Sequence, residues 1–335
     1  MTTMAPSTNE TSTSTSPVRI LIINPNTSQH MTDALVPVVE NLGIPAAQYT
    51  FFTCPTTPGS IPSINSPADA AKSAEICLPH LVPLLPHHDC FLVACYSQHP
   101  LVSELKRECA ALTAAATPHG SGARKYVTGI FEASVLASLA LLGEAEGDLE
   151  TTATTATESF REGSGAFGIV STGKVWEHAL QTAVEEFLGY PATAATTAVT
   201  TGESKSRFVG CETTGLNASE LHDLPPAEVR RKMMDATKRL LRRGNTNRDA
   251  TATATDSDSA GAATAEGSDW KPTTKTIVSR VKAICLGCAG MVGLDSAVRT
   301  ACVEALGEER ARDVYIVDGV KAGVGALYAL ARAGF

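Results

Sequence analysis

The sequence lacks an excess of positive charge. Its 335 residues include 27 Lys and Arg against 35 Asp and Glu, which gives a formal net charge of -8. A nucleic-acid-binding protein needs a basic surface to neutralise phosphates, so this balance argues against such a partner. We therefore expect a small-molecule ligand and no nucleic acid.

The sequence also lacks long apolar runs and a secretion signal. Pro, Gly or a charged residue interrupts every apolar stretch before it reaches the roughly 18 residues needed to cross a bilayer, so we expect no membrane association. Residues 1–17 are polar and rich in Ser and Thr, and are predicted to form a disordered tail. Nine cysteines without a secretion signal are typical of a reducing compartment, which predicts a cytoplasmic protein with free thiols.

Two binding motifs are incomplete. Gly323 and Gly325 lie within an apolar helical pattern and lack the third glycine of a dinucleotide loop. Cys285 and Cys288 form a CxxC pair, but no second pair of ligands stands at zinc-motif spacing, so we expect no metal. A redox CxxC remains an alternative, because such pairs also stand at helix starts. By strand alternation, Cys285 is expected to turn into the sheet.

Short apolar runs recur along the chain, and each is followed by a polar loop and a helical pattern. The runs are residues 19–23, 90–94, 166–170, 281–286 and 314–317. Strands that alternate with helices form parallel sheets covered on both faces, and short apolar strands fit fully buried positions. The sequence therefore predicts an α/β fold, and its length favours two domains.

Three segments interrupt this pattern and are predicted to be mobile surface loops. They lie near residues 144–165, 191–206 and 245–270. They are rich in Thr, Ala, Gly and Asp, and they have too little apolar area to offset the entropy of ordering them.

The first domain is predicted at 18–125, with 311–335 packing back on it, and the second at 126–310.

Cys95 and Cys288 stand where two predicted strands end. In open α/β sheets ligands bind beyond the carboxyl ends of the strands, so both thiols are expected in a ligand cleft. Nearby helix N-termini would favour the thiolate over the usual thiol pKa of about 8.5, and His99 lies close enough to tune Cys95. If one thiolate removes a proton beside a carbonyl while the other thiol delivers one to the opposite face, the stereocentre inverts. Most other cysteines are expected to be buried core residues.

Neutral hydrogen-bonding residues stand at the same strand ends. They are Asn24, Ser97, Ser171 and Thr172. Such groups recognise amide or carboxylate edges and stabilise an enolate oxygen, but Ser, Thr and Asn also cap helix N-termini. Both interpretations remain open from the residues alone. Glu132 is expected to begin a helix.

Three ordered segments resemble motifs of the Asp/Glu/hydantoin racemase superfamily, in particular its hydantoin and allantoin racemase branch with the fungal DCG1-like proteins. They are IINPNTS at 22–28, VACYS at 93–97 and LGCAGM at 286–291. Supporting segments are GIFEA at 129–133, GIVSTG at 168–173 and VDGV at 317–320. The match runs in order from about residue 18 to 335, apart from the three inserts.

The resemblance implies two similar doubly wound parallel-sheet domains with the active site in the cleft between them. It also implies one catalytic cysteine from each side, Cys95 and Cys288, and no metal or other cofactor. The substrate contacts that it implies are Asn24, Ser97, Ser171, Thr172, Ala289, Gly290 and Met291.

The expected reaction is a 1,1-proton transfer at C5 of a 5-substituted hydantoin, with allantoin as a member of that class. One departure bears on the substrate: residues 96–100 read YSQHP, whereas bacterial hydantoin racemases typically have a Phe-Gly-Asp-Pro-like turn there. Racemisation of aspartate or glutamate is the second alternative, and a catalytically silent metabolite-binding protein is the third. The sequence leaves open whether the chain forms a homo-oligomer.

Overall fold

The computed structural model of the chain describes five segments. They are residues 16–115, 124–142, 165–189, 207–244 and 279–335. The predicted tail and the three predicted inserts lie outside these segments, apart from residues 16, 17 and 165.

The first sheet contains four parallel strands in the order β2-β1-β3-β4. Its strands are β1 (Val18–Asn24), β2 (Ala47–Thr53), β3 (Cys90–Val93) and β4 (Tyr126–Gly129). The central strands β1 and β3 have almost entirely buried side chains, which explains why both are continuous apolar runs in the sequence. The edge strand β2 alternates between more and less exposed side chains along its first half.

The second sheet repeats this order with β6-β5-β7-β8, again in parallel. Its strands are β5 (Ala166–Ser171), β6 (Phe208–Thr213), β7 (Val281–Gly287) and β8 (Tyr315–Asp318). In each sheet the first strand of the half lies beside the second and the third, and the fourth forms the far edge. The predicted α/β fold with two similar parallel sheets is confirmed.

Helices connect the strands and cover the sheets. In the described segments they are α1 (Gln29–Glu40), α2 (Pro67–Leu81), α3 (Pro100–Ala115), α4 (Ile130–Leu141), α5 (Val175–Phe187), α6 (Glu220–Asp223), α7 (Pro226–Arg243), α8 (Asp295–Leu306), α9 (Glu308–Arg312) and α10 (Gly319–Ala333). Two 3-10 turns occupy Val82–His87 and Ala289–Met291. None of these helices is both long and apolar enough to span a membrane.

Helix α4 joins the two sheets into one core. Its residue Phe131 belongs to an apolar cluster that also contains Leu92 of the first sheet and Phe167 of the second. On the same helix, Ser138 Oγ lies 3.1 Å from Cys285 Sγ on β7. Because this cluster crosses from one sheet to the other, the relative position of the sheets is fixed by buried side chains.

The C-terminal segment is divided between the sheets. β8 pairs with β7 in the second sheet, whereas α10 packs on β3 and β4 of the first. Gly323 on α10 faces Leu92, and an added Cβ would overlap that side chain, so the glycine serves close packing. β4 follows the domain boundary predicted at residue 125, yet it pairs with β3 and so belongs to the first sheet.

A buried histidine holds the loop between β3 and α3. The backbone N–H of Leu101 donates to His99 Nδ1 (3.2 Å), so the ring proton lies on Nε2, which donates to Ser73 Oγ on α2 (3.0 Å). Burial lowers the pKa of His99 to about 4. Both ring nitrogens thus have partners other than Cys95, and His99 anchors the loop instead of tuning that thiol.

Acid should weaken the fold through His99. In the unfolded chain the ring binds a proton near its ordinary pKa of 6.5, whereas the folded ring resists protonation down to about pH 4. Its contribution to the free energy of unfolding is therefore fully present above pH 6.5 and falls by about 3 kcal/mol as the pH drops to 4. Urea unfolding at several pH values should show this loss in the wild type.

The matched variants for this measurement are His99→Gln and His80→Gln. His99→Gln should have a shallower pH dependence of unfolding than the wild type, because the titrating ring is gone. His80→Gln removes an exposed histidine from α2 and serves as the control. The same pH dependence in all three proteins would contradict this role of His99.

Candidate active site

The loops that follow the central strands of both sheets meet in one cleft. In each sheet the strand order changes direction between two neighbouring strands, β1 and β3 in one and β5 and β7 in the other. Ligands bind at such switch points in open α/β sheets. The cleft encloses about 390 Å³, including space open to solvent. Its described lining residues are Asn26, Met31, Ile64, Ala94, Cys95, Tyr96, Thr172, Trp176, Ala218, Gly287, Cys288 and Ala289.

The described lining of the cleft carries no charged side chain. Met31, Ile64 and Trp176 contribute apolar surface, whereas Asn26 and Thr172 contribute hydrogen-bonding groups. Such a lining desolvates a ligand without offering an ion pair. The cleft therefore suits a small uncharged molecule better than a zwitterion.

Cys95 reaches the cleft from the loop after β3. Its side chain is partly buried, and its Sγ lies 3.6 Å from Ser97 Oγ. Burial raises the pKa of the Cys95 thiol to about 12; the hydrogen bond with Ser97 opposes this rise, and negative charge on Cys288 or Glu132 adds to it. The electrostatic coupling with Cys288 agrees with the position of both thiols in one cleft.

Cys288 reaches the cleft from the equivalent place in the second sheet, after β7. It precedes the 3-10 turn Ala289–Met291, and its Sγ accepts a hydrogen bond from the backbone N–H of Gly290 (3.4 Å). Burial raises the pKa of the Cys288 thiol to about 11, and the Gly290 hydrogen bond opposes the rise. Each sheet thus supplies one thiol from its third strand in spatial order.

The expectation that helix N-termini favour the thiolates is wrong. α3 begins only at Pro100, and α8 begins only at Asp295, with one 3-10 turn between it and Cys288. A helix dipole acts within about its first turn, whereas both sulfurs lie in an uncharged, half-buried cleft. Desolvation therefore dominates and favours the neutral thiols.

The Asn-Pro-Asn loop after β1 places its two asparagines differently. Asn24 is buried, and its Nδ2 bonds to Asn26 Oδ1, the Ser28 carbonyl and Thr32 Oγ1 at 3.0 Å each. Its Oδ1 accepts from the Asn26 backbone N–H. Asn24 thus supports the loop, while Asn26 lines the cleft; direct substrate contact by Asn24 stays a prediction.

The other predicted substrate contacts are divided between the cleft and the layer behind it. Thr172 and Ala289 line the cleft, as do both catalytic candidates. Ser171 Oγ donates to the Gly287 carbonyl (2.8 Å) and so ties β5 to the end of β7. Ser97 partners Cys95. Gly290 and Met291 are buried but do not belong to the described lining.

Several lining residues were missed by sequence analysis. Asn26 and Gly287 flank predicted site residues inside the motifs, so reading each motif as one unit would have found them. Met31 and Trp176 lie in the first turns of α1 and α5, directly beyond strand-end loops. Ile64 lies in a loop far from any motif, and the sequence gives no signal for it.

The CxxC pair is divided between core and cleft. Cys285 is fully buried, as strand alternation predicts, and its sulfur contacts Ser138 on α4, whereas Cys288 lines the cleft. The different surroundings of the two thiols argue against a redox pair. The described residues contain no group of three or more His, Cys, Asp or Glu side chains placed to hold a metal ion.

The sequence matches a family model. The model described as Asp/Glu/Hydantoin racemase matches residues 20–248, which is more than half of the chain. This match includes β1 to β6 and therefore Cys95, while Cys288 lies beyond it.

Two fungal proteins are similar in sequence. An uncharacterized protein of Schizosaccharomyces pombe is 28% identical over 315 residues, which cover 94% of this chain and 92% of that protein. Protein DCG1 of Saccharomyces cerevisiae is 35% identical over 99 residues, which cover 28% of this chain and 40% of that protein.

Two solved structures share the fold. Allantoin racemase from Klebsiella pneumoniae superposes with a TM-score of 0.57 at 19% identity, covering 95% of this chain and 89% of that one. Allantoin racemase from Pseudomonas fluorescens superposes with a TM-score of 0.58 at 17% identity, covering 95% of this chain and 92% of that one. At these identities the likeness establishes a common fold.

Replacing Gly287 with alanine should disturb the strand that carries Cys288. An added Cβ would lie 2.8 Å from both the Val170 carbonyl oxygen and Ser171 Cβ on β5, so β5 and β7 would have to separate. We expect Gly287→Ala to lower the free energy of unfolding by about 1–3 kcal/mol in urea. The control Gly325→Ala on α10, with open space at its Cβ, should be neutral or stabilising by about 0.4–1 kcal/mol. Wild-type stability of Gly287→Ala would show that the strands are not held this closely.

Proposed function

The chain belongs to the Asp/Glu/hydantoin racemase family, and we propose that it racemises 5-substituted hydantoins, allantoin among them, by proton transfer between Cys95 and Cys288. The observation that carries the proposal is the meeting of these two thiols, one from each sheet, in a single uncharged cleft. Both structural neighbours are named allantoin racemases, and allantoin is itself a 5-substituted hydantoin.

The proposed reaction is a 1,1-proton transfer at C5 of the ring. One thiolate removes the C5 proton and becomes a thiol, and the electron pair is held as an enolate on the neighbouring ring carbonyl. The second thiol then gives its proton to the opposite face of C5 and becomes the thiolate. The product is the other enantiomer, and the two cysteines have exchanged protonation states. No cofactor is needed for this cycle.

The uncharged lining supports a hydantoin over a free amino acid. A hydantoin ring is a neutral cyclic amide, and its N–H and carbonyl groups match partners such as Asn26 and Thr172. A free amino acid brings a carboxylate and an ammonium group, which lose much solvation in a cleft without an ion-pair partner. Lys174, the basic residue nearest to these loops in sequence, is exposed and does not belong to the described lining.

The rate of racemisation should rise steeply with pH. Both thiols are mainly neutral at pH 7, because burial raises their pKa values to about 12 and about 11, and the reaction needs one thiolate and one thiol. Below these pKa values the thiolate fraction grows about tenfold per pH unit, so kcat/KM should rise roughly a hundredfold between pH 6.5 and 8.5. Polarimetry with an enantiopure hydantoin measures this directly. A plateau of kcat/KM below pH 8 would mean that the pKa of the thiol that supplies the base is much lower than its burial indicates.

Single cysteine variants should separate deprotonation from inversion. Cys95→Ser and Cys288→Ser should each abolish net racemisation, because a serine hydroxyl is far too weak an acid to act as the base. The surviving thiolate can still remove the C5 proton on its own side. In heavy water each variant should therefore exchange deuterium into one enantiomer, and the two variants should prefer opposite enantiomers. NMR with each enantiopure hydantoin measures the exchange.

The controls for this experiment test the alternatives as well. Cys302→Ala removes a buried thiol outside the cleft and should retain racemisation. Aspartate and glutamate should remain unchanged with every variant. Near-wild-type racemisation by either serine variant would overturn the two-thiol mechanism, and a hydantoin that binds without any exchange would favour a silent binding protein.

A further inference from the structure

The two thiols of the cleft have unequal hydrogen-bond partners. Cys288 Sγ accepts from the backbone N–H of Gly290 (3.4 Å), and a backbone N–H can only donate. Such a donor stabilises a thiolate but gives nothing comparable to a thiol. Cys95 Sγ instead faces Ser97 Oγ (3.6 Å), and a hydroxyl can donate to a thiolate or accept from a thiol. The fixed donor at Cys288 therefore favours negative charge on that sulfur.

A buried carboxylate lies on the Cys95 side of the cleft. Glu132 stands in the first turn of α4, directly after β4, and Gly129 of β4 pairs with Val93 at the end of β3. Its side chain folds back over Gly129, so that a Cβ on that glycine would overlap Oε2. Glu132 Oε2 is buried and has no hydrogen-bond partner among the described residues. Glu132 thus places a buried carboxylate at the end of β4, beside the strand β3 that leads to Cys95.

The local surroundings of Glu132 oppose the effect of burial on its carboxyl group. Burial raises the pKa of Glu132, while its own backbone N–H, the charge of Lys106 and the Gly129 N–H oppose the rise. The ionised carboxylate in turn raises the pKa of Cys95, after the larger effect of burial. Glu132 is therefore electrostatically coupled to one thiol of the pair.

Within the part of the chain that the structure describes, no acidic side chain contributes to the pKa of Cys288. His222 lies next to Gly290, and a Cβ on that glycine would be 3.0 Å from His222 Nε2. Burial and the neighbouring His30 lower the pKa of His222, against the smaller opposing effect of Asp223, and so favour the neutral ring. Burial and the Gly290 N–H account for the pKa of Cys288. On the Cys95 side, the hydroxyl of Tyr96 bonds with Ser134 Oγ (2.7 Å), and His99 is committed to Ser73 and Leu101.

We infer that, when one of the two thiols is ionised in the resting enzyme, the thiolate is on Cys288 and the thiol on Cys95, and that Glu132 is the positioning residue that enforces this order. The inference rests on the proposed two-thiol function and assigns a direction to it. The resting form accepts the hydantoin enantiomer whose C5 proton faces Cys288. The opposite enantiomer requires the form with the thiolate on Cys95, against the field of Glu132.

Alkylation without substrate tests this order. Iodoacetamide reacts with thiolates, and mass spectrometry with fragment ions assigns the alkylation rate to each cysteine between pH 6.5 and 9.5. Both thiols are half-buried, so a difference in exposure is not expected to dominate their alkylation rates. In the wild type Cys288 should react faster than Cys95. In Glu132→Gln the Cys95 rate at a given pH should rise by about threefold to tenfold, as expected for a pKa change of roughly half a unit to one unit. The Cys288 rate should change less than twofold.

Two matched variants separate charge from shape. Glu132→Asp keeps the negative charge and should retain slow alkylation of Cys95. Glu104→Gln makes the same chemical change at another carboxylate with a buried, unpartnered oxygen, on α3, and should leave both rates as in the wild type. If Glu104→Gln raised the alkylation rate of Cys95 as much as Glu132→Gln does, the assignment to Glu132 would be overturned.

The remaining outcomes are equally decisive. Wild-type alkylation of Cys95 at or above the rate of Cys288 would overturn the resting order, with no need for any variant to fold. An unchanged Cys95 rate in folded Glu132→Gln would overturn the role of the carboxylate. The alkylation experiment contains no substrate, so it is independent of hydantoin turnover. A failure of turnover would contradict the proposed function, and the alkylation rates would still test the resting order.

Discussion

Two thiols can invert a stereocentre only when they reach the same carbon from opposite faces. A single parallel sheet presents its strand-end loops on one side, so this constraint favours two sheets that face each other across a cleft. The chain repeats one strand order in two sheets, and Cys95 and Cys288 follow the equivalent strands β3 and β7. Helix α4 fixes the sheets against each other through buried contacts, which in turn fixes the distance between the two loops.

The uncharged cleft has opposing effects on the chemistry. It favours a neutral ring and excludes charge partners that would retain a zwitterion, but it also raises the pKa of both thiols above the range of a good base at neutral pH. Two local hydrogen bonds oppose this rise, from a backbone N–H at Cys288 and a hydroxyl at Cys95. The buried carboxylate of Glu132 instead adds to the rise at Cys95, which makes the two thiols unequal. The same residues that position the sulfurs therefore set their protonation.

Sequence patterns predicted the central strands and the loops after them, because β1, β3, β5 and β7 are buried apolar runs followed by turns. They did not reveal the edge strands β2 and β6 or the four-residue β4. Within the site, the cysteines and Thr172 were predicted to lie in the cleft. Which of Asn24 and Asn26 lines the cleft depends on local hydrogen bonds, which the spacing of the two residues does not encode. The direction of the thiol pKa values was also beyond the sequence, since it depends on burial and on the hydrogen-bond donor that each sulfur meets.

The central claim is that Cys95 and Cys288 face one small ligand from opposite sides, and a short bifunctional reagent tests it most directly. In 1,3-dibromoacetone each bromide can be displaced by one thiolate, which leaves a three-carbon bridge between the two sulfurs. Peptide mapping of the treated protein should find a bridge that joins Cys95 to Cys288, and prior binding of a hydantoin should suppress it. Separate modification of the two cysteines without a bridge, or a bridge from Cys288 to Cys285 instead, would contradict the account.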